Sequence, residues 1–290
     1  NFIRQQLISL KHLTYPNLEI IISDDGSSDN TIKIINDFKK KMPLKLVHNN
    51  GKHGLNNNFQ NALSYAKGEF VALSDQDDIW EKNKIEILLS RIDDFDVVHA
   101  SVKVIDDKGE KHPMGYMHDA YEMDRSKQYK FTDFVHEGPM LGCTSLIRTS
   151  LLKRSLPIPE KVIYHDSWIA QYAIKRGKGL CFVDYPVIKY RQHTNNTAKT
   201  TFEKDDWNRK QIAYDKCRLV EFDDCLTKQE KIALHEDLNW TILVENFRKY
   251  APQHLELYFN ENYHSFSDEF MIGLKKMVNE NIIEQENKEA

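Results

Sequence analysis

The feature that most restricts the fold of this chain is a strand, loop and helix unit repeated along its first eighty positions, with two of the strands ending in aspartates. Leu18 to Ser23 (LEIIIS) is a run of β-favouring apolar residues, and the Asp24-Asp25-Gly26-Ser27-Ser28 after it is turn and cap chemistry. Ser28 or Asp29 can cap the next segment, where Thr31, Ile34, Ile35 and Phe38 recur at helical spacing. Lys45 to His48 reads as a second strand, and Phe59, Ala62, Leu63 and Ala66 fall on one face of a helix stopped at Gly68. Phe70 to Ser74 (FVALS) is a third strand, running into Asp75-Gln76-Asp77-Asp78. Such alternation predicts an α/β fold with right-handed crossovers and a mainly parallel sheet covered by helices on both faces. Ligands bind such sheets beyond the carboxyl ends of the strands, where both acidic clusters fall.

The second half reads as mixed. Asp96 to Ile105 is a long strand turned by Asp106-Asp107-Lys108-Gly109, a hairpin-like sequence. Asp166 opens a helical stretch with Ile169, Tyr172, Ala173 and Arg176, closed near Gly177, and Leu180 to Val183 and Val187 to Tyr190 are two short strands. From about Asp205 the strand signals vanish. Leu234, Leu238 and Ile242 form one helical stripe and Phe270, Leu274 and Met277 another. The expected division is an α/β domain over 1–200 and a helical extension over 201–290, whose end, Glu284 to Ala290, should fray.

At 290 residues the chain can bury a substantial core, and 40% apolar content is that of an ordinary folded protein. A net charge of -4 argues against a general nucleic-acid binder, which needs a basic field to displace counterions. The imbalance sits in the last third: residues 201–290 carry 12 Lys and Arg against 19 Asp and Glu, and residues 1–200 carry 28 against 25. Cys143, Cys181, Cys217 and Cys225 have neither metal-ligand spacing nor the density of a disulfide scaffold, so reduced thiols in a cytoplasm are expected. No apolar run approaches the roughly 18 residues of a membrane span, and no signal peptide is visible.

Asp75 and Asp77, two apart at a strand end, project to one side of an extended chain. Two convergent carboxylates suit a hard cation such as Mg²⁺ or Mn²⁺, with phosphate oxygens and water completing its shell. An acidic loop with Asp78 capping a helix is the plain alternative. Asp24 and Asp25 before Gly26 can offer carboxylates and backbone N–H groups to a nucleoside, or simply cap. Asp166, after His165, opens a helix, where an anionic base, a metal ligand or a cap would each be favoured. Arg191 and His193 lie between a strand and the polar loop Thr194 to Thr201. A histidine there is a metal ligand, a hydrogen-bond donor or a surface residue.

Taken together and in order, YPNLEIIISDDGSSDNT (15–31), GLNNNFQNALSYAKGEFVALSDQDDIW (54–80), GPMLGCTSLI (138–147), HDSWIA (165–170) and YRQHTNN (190–196) resemble family 2 of the glycosyltransferases. The resemblance is strongest to the bacterial rhamnosyltransferase-like branch of surface-polysaccharide synthesis. It implies a GT-A fold and an inverting, metal-dependent transfer from a nucleoside-diphosphate sugar, of UDP or dTDP type, to a glycan or lipid-linked acceptor. By that resemblance Asp24, Asp25, Asn58, Asp75 and Arg191 would bind the donor and Asp77 and His193 the metal. Asp166 would be the general base, with Gly142, Cys143 and His165 beside the acceptor. Family members begin with a strand and a polar turn, and Asn1-Phe2-Ile3 resembles the residues just after that turn, so the first strand is expected to be missing. A basic residue often precedes the helix asparagine in the family; here Asn57 stands before Asn58. The family also implies a cytoplasmic protein, peripheral at the membrane face where lipid-linked acceptors are built. Two rival readings are a nucleotidyltransferase that makes sugar nucleotides and an inactive scaffold of a polysaccharide-assembly complex.

Overall fold

The computed structural model describes residues 2–116, 129–135, 138–194, 196 and 207–250. The expected stripe of Phe270, Leu274 and Met277, the end at Glu284 to Ala290 and the loop beyond Asn196 lie outside these residues.

The chain enters through helix α1 (Ile3–Lys11), which buries Ile3, Leu7 and Leu10. Their i, i+4, i+7 spacing is a helical stripe. Strands β1 (Ile20–Asp24) and β2 (Leu44–His48) then pair in parallel, with Asp24 opposite His48. Helix α2 (Thr31–Lys39) joins them and turns Ile35 and Phe38 inward. The Asp29 carboxylate accepts the Thr31 N–H at its start (2.9 Å), which relieves one of the orphan donors of a helix N-terminus. Helix α3 (Leu55–Leu63) is bound to the end of β1 by asparagines: Asn58 accepts from the Ser23 hydroxyl (2.6 Å) and donates to the Ser23 carbonyl (3.0 Å). Asn61 donates to the same hydroxyl (2.8 Å).

The larger sheet has the order β3 (Phe70–Ala72), β7 (Leu146–Arg148), β5 (Val97–Ile105), β8 (Leu180–Arg191), β4 (Ile79–Trp80), with β6 (Lys111–Tyr116) beside β5. It is mixed and not mainly parallel: the change of pattern after residue 80 implied this for the second half, but β3, expected to continue the parallel sheet of β1 and β2, instead pairs antiparallel with β7 in a separate sheet. β5 and β8 are parallel, whereas β3–β7, β5–β7, β4–β8 and β5–β6 are antiparallel. The Asp106 to Gly109 turn closes the β5–β6 hairpin, with Gly109 at φ 92°, a conformation that glycine adopts without steric cost. β8 is one strand where two were expected. Opposite β5 its register slips between Ala100 and Ser101, so that Val183 faces the first and Pro186 the second. Asp184 and Tyr185 bulge out, and Pro186 brings no N–H to the ladder.

Neighbouring residues of β5 point to opposite faces of the sheet and enter separate apolar clusters. Val97 belongs to the cluster that holds Ile147, Leu151 and Ile169; Val98 belongs to the one that holds Leu7, Ile35 and Leu88. Each fully buried leucine or isoleucine contributes about 1.5–3 kcal/mol. The other α-helices among the described residues are α4 (Lys84–Ile92), α5 (Thr149–Ser155), α6 (His165–Arg176), α7 (Trp207–Glu221) and α8 (Lys228–Tyr250). Phe222, just after α7, and Leu234 of α8 join the Val97 cluster. Arg218 of α7, fully buried, donates to the Phe134 carbonyl (2.8 Å) and the Val135 carbonyl (2.6 Å) and pairs with Asp215. Lys175 and Arg176 at the end of α6 pair with Glu230 and Asp224. Among the described residues no helix is long and apolar enough to cross a membrane.

Candidate active site

Two carboxylates end β1. Asp24 is buried and accepts the N–H groups of Gly26 (3.1 Å) and Ser27 (3.2 Å), the hydrogen bonding of a tight aspartate turn. Burial alone would raise its pKa; the bonds from Ser27 and Gly26 outweigh this and hold it below the usual carboxylate value. Asp25 is half-buried and accepts from the Asn49 amide (2.7 Å) and the Gly54 N–H (2.8 Å). The ends of β1 and β2 and the start of α3 thus meet on one side chain.

The loop after β3 carries the densest charge. Gln6 of α1 donates to the Ser74 hydroxyl (2.7 Å). Asp75 is half-buried, whereas Asp77 and Asp78 are 6% and 0% exposed. Oxygens of Asp75 and Asp78 and the sulfur of Cys143 lie within 4.8 Å of one another. Burial, then the neighbouring charges of Asp78, Asp77 and Asp166, push Asp75 well above its usual range. Burial and Asp77 push Asp78 up to about 7. Lys84 is fully buried beneath this group, donating to the Cys143 carbonyl (2.6 Å) with its nitrogen 3.2 Å from the centroid of the Trp80 ring. Burial brings its pKa down to about 7, against the pull of Cys143, Asp78 and Asp75. Burial, Asp78 and Asp75 also push the Cys143 thiol up.

His193 reaches this loop from beyond β8. Its Nε2 lies 2.9 Å from an Asp77 oxygen, and its ring stacks on Phe2 at 4.9 Å. Arg191 is fully buried and donates to the carbonyls of Asp77 (2.9 Å), Asp106 (3.0 Å) and Asp107 (3.2 Å) and to the Gln5 side chain (2.6 Å). Its own N–H goes to Asp78 Oδ1 (3.0 Å), while Asp78 Oδ2 is buried without a hydrogen-bond partner.

Asp166 lies in the first turn of α6, where the helix dipole favours an anion. Its oxygens accept the N–H groups of Gly142 (2.9 Å) and Ser167 (2.8 Å). A Cβ on Gly142 would stand 3.1 Å from the Asp166 Cβ, so the glycine permits this approach. Gly142 precedes Cys143, and the Asp166 charge is felt at Asp75; a continuous set of contacts therefore runs from Asp166 through Gly142 and Cys143 to Asp75 and Asp78. His165 is buried against Phe59, its ring stacked at 3.9 Å with Nδ1 unpartnered, and burial lowers its pKa despite Asp166.

The structure thus groups Asp75, Asp77, His193, Gly142, Cys143, His165 and Asp166, and sets Asp24 and Asp25 as a second group at the end of β1. Asn58 faces β1, and Arg191 faces inward onto carbonyls. Asp78, Lys84, Phe2, Gln5 and Gln6 were not singled out as site residues in the sequence. The stripe of α1 was the available signal for the last three; nothing local marks Lys84.

A sheet flanked by helices with carboxylates at its strand ends is the architecture of GT-A glycosyltransferases. Residues 1–349 of Staphylococcus aureus TarS, solved in complex with UDP-GlcNAc, share it at a TM-score of 0.61 and 19% identity, over 89% of this chain and 72% of that one. The chain belongs to glycosyl transferase family 2, whose model matches residues 1–156. An uncharacterised glycosyltransferase of Rickettsia typhi is 29% identical over 218 residues, 70% of this chain and 65% of that protein. The dTDP-rhamnosyl transferase RfbG of Shigella flexneri is 25% identical over 237 residues, 73% of this chain and 79% of that protein. The chain thus spans a little under two thirds of the Rickettsia protein's length. Asp166, Arg191 and His193 lie beyond the residues that the family model matches.

Proposed function

We propose that the chain moves a sugar, with inversion, from a nucleoside-diphosphate sugar of UDP or dTDP type to a hydroxyl of a glycan or lipid-linked acceptor, as a step of cell-surface polysaccharide synthesis. The observation that carries this is the link from Asp166 through Gly142 and Cys143 to the Asp75, Asp77 and Asp78 loop. One carboxylate held by backbone N–H groups stands beside a group of carboxylates that repel one another.

That group fits a hard divalent cation, Mg²⁺ or Mn²⁺. Its donors are carboxylate oxygens with one histidine nitrogen beside them, Asp78 Oδ2 is a buried orphan, and the crowding that raises Asp75 and Asp78 is relieved by positive charge. Asp77, Asp75 and His193 would hold the ion. When bound, it neutralises charge building on the departing diphosphate. Asp24 and Asp25, with the backbone around Gly26 and Gly54, hold the nucleoside. Asp166 takes the proton of the acceptor hydroxyl as that oxygen attacks the anomeric carbon, through a transition state of oxocarbenium character. Arg191 serves by holding the Asp77 loop; in this reading it does not touch phosphate.

The test is Asp166→Asn. Asparagine keeps an oxygen for the Gly142 N–H but is no base, so transfer from UDP- or dTDP-sugars with Mn²⁺ falls by about 10²–10⁴. Nucleotide binding, followed by calorimetry, stays. Near-normal turnover removes Asp166 as the base, and failure of the unaltered chain to bind any nucleoside diphosphate with Mn²⁺ removes the whole reading.

A further inference from the structure

Helices α6 and α7 lie side by side and run the same way. Trp207, the first residue of α7, meets Tyr164, the residue before α6, with ring centroids 6.3 Å apart. Two turns later Tyr214 is buried, and beyond burial its surroundings include the negative charge of Asp166 at the start of α6. Beyond it Phe222 packs on Trp168 and Tyr172, and Arg176 reaches Glu221 and Asp224. This register brings the start of α7 to the end of α6 that carries Asp166.

The aromatics of the seam differ in exposure along its length. Trp168, Tyr214 and Phe222 are buried, whereas Trp207 and Tyr164 keep exposed surface, as does Asp166. Tyrosine and tryptophan combine an apolar face with a polar tip, and the C–H face of a pyranose is the part of a sugar that packs on such a ring. α7 is also fixed in place, since Arg218 is hydrogen-bonded to the Phe134 and Val135 carbonyls and paired with Asp215. A preformed aromatic surface costs little ordering when a ligand docks.

Building on the transferase reading, we propose that Trp207 and Tyr164 form the aromatic wall of the acceptor subsite, on which a pyranose ring stacks while its hydroxyl reaches Asp166. This gives α7, which lies outside the family match, a part in acceptor binding.

The experiment uses the full chain with UDP and Mn²⁺ and the methyl glycosides of glucose, N-acetylglucosamine and rhamnose as probes, followed by saturation-transfer NMR. At least one glycoside should bind, with contacts on one ring face. Trp207→Ala should weaken it roughly tenfold and Trp207→Phe should restore most of the loss, with UDP affinity unchanged in both. Should Trp207→Ala melt early, Trp207→Leu fills the space without an aromatic ring and must show the same loss. Unchanged glycoside binding in the alanine and leucine variants overturns the wall. If UDP binds and no glycoside does, the subsite falls and the transferase reading stands; if neither binds, both fall.

Discussion

Replacing Arg191 by methionine separates two roles for this residue, contact with a diphosphate and support of the Asp77 loop. The guanidinium is fully buried and serves the carbonyls of Asp77, Asp106 and Asp107 and the side chain of Gln5, with Phe2 stacked 4.6 Å away. Methionine fills much of the volume and leaves these acceptors unpaired. A buried acceptor without a partner costs about 1–3 kcal/mol. Asp106 and Asp107 lie on a turn that water reaches, so the full cost falls mainly on the Asp77 carbonyl and part of it on the others. The sum is about 3–5 kcal/mol, a large share of a typical stability of about 5–15 kcal/mol.

In a domain of this size the loss lowers the melting temperature by about 10 °C. The freed Asp77 loop should also weaken Mn²⁺-dependent UDP binding about tenfold. Arg191→Lys, with three donors in place of five, should recover about half of the stability. Differential scanning calorimetry and titration calorimetry on the same preparations read both effects. If the guanidinium instead met the diphosphate, UDP affinity would drop while stability stayed within about 0.5 kcal/mol, as for an ordinary surface change. That outcome would refute the support role.

Two other positions, one buried and one crowded, give further expectations. His99 is fully buried between Tyr129 and Phe182 with both ring nitrogens unpartnered, and burial lowers its pKa to about 3. The unfolded chain takes up this proton near pH 6.5 and the folded one does not, so stability is lost as pH falls from about 6.5 towards 3. His99→Phe should remove about 2 kcal/mol of the loss between pH 7 and 5 in urea melts, and an identical pH slope in both proteins would contradict this. Gly142→Ala would press a methyl against Asp166, 3.1 Å from its Cβ. It should lower kcat about tenfold or more with the donor KM unchanged, and full activity would mean that Asp166 has room to move.

The ends of β1 and β3 were legible because apolar runs broken by aspartates state both the strand and its end. The long strand and its hairpin turn were legible for the same reason. The split expected in β8 was a bulge, since Pro186 interrupts an apolar pattern without ending the ladder. Helix α1 carries its stripe in Ile3, Leu7 and Leu10, but no capping side chain marks its start, which left it less legible than α2. Other features had no local signal. Asp78, readable only as a cap, is wholly buried because Arg191, 113 positions later, donates its N–H. A pattern of polar and apolar residues assigns charges to the surface, and the exceptions depend on partners that only the folded chain supplies.

Those exceptions separate the site's polar residues by what they can still do. Arg191 and Lys84 are wholly buried, and their hydrogen bonds go to backbone carbonyls and, for Arg191, to Gln5 as well. Asn58 has its amide on Ser23. A donor committed within the fold cannot turn to a ligand unless that contact breaks, and at a buried position breaking it costs about as much as a substrate hydrogen bond returns. Asp25, Asp75 and Asp166 differ, because each keeps exposed surface, and backbone N–H groups fix the direction in which Asp25 and Asp166 point while Asp75 lies beside Asp78 and Cys143. Chemistry is therefore expected at the half-buried carboxylates and geometry from the wholly buried cations. The sequence shows both kinds as equally polar letters; exposure after folding tells them apart.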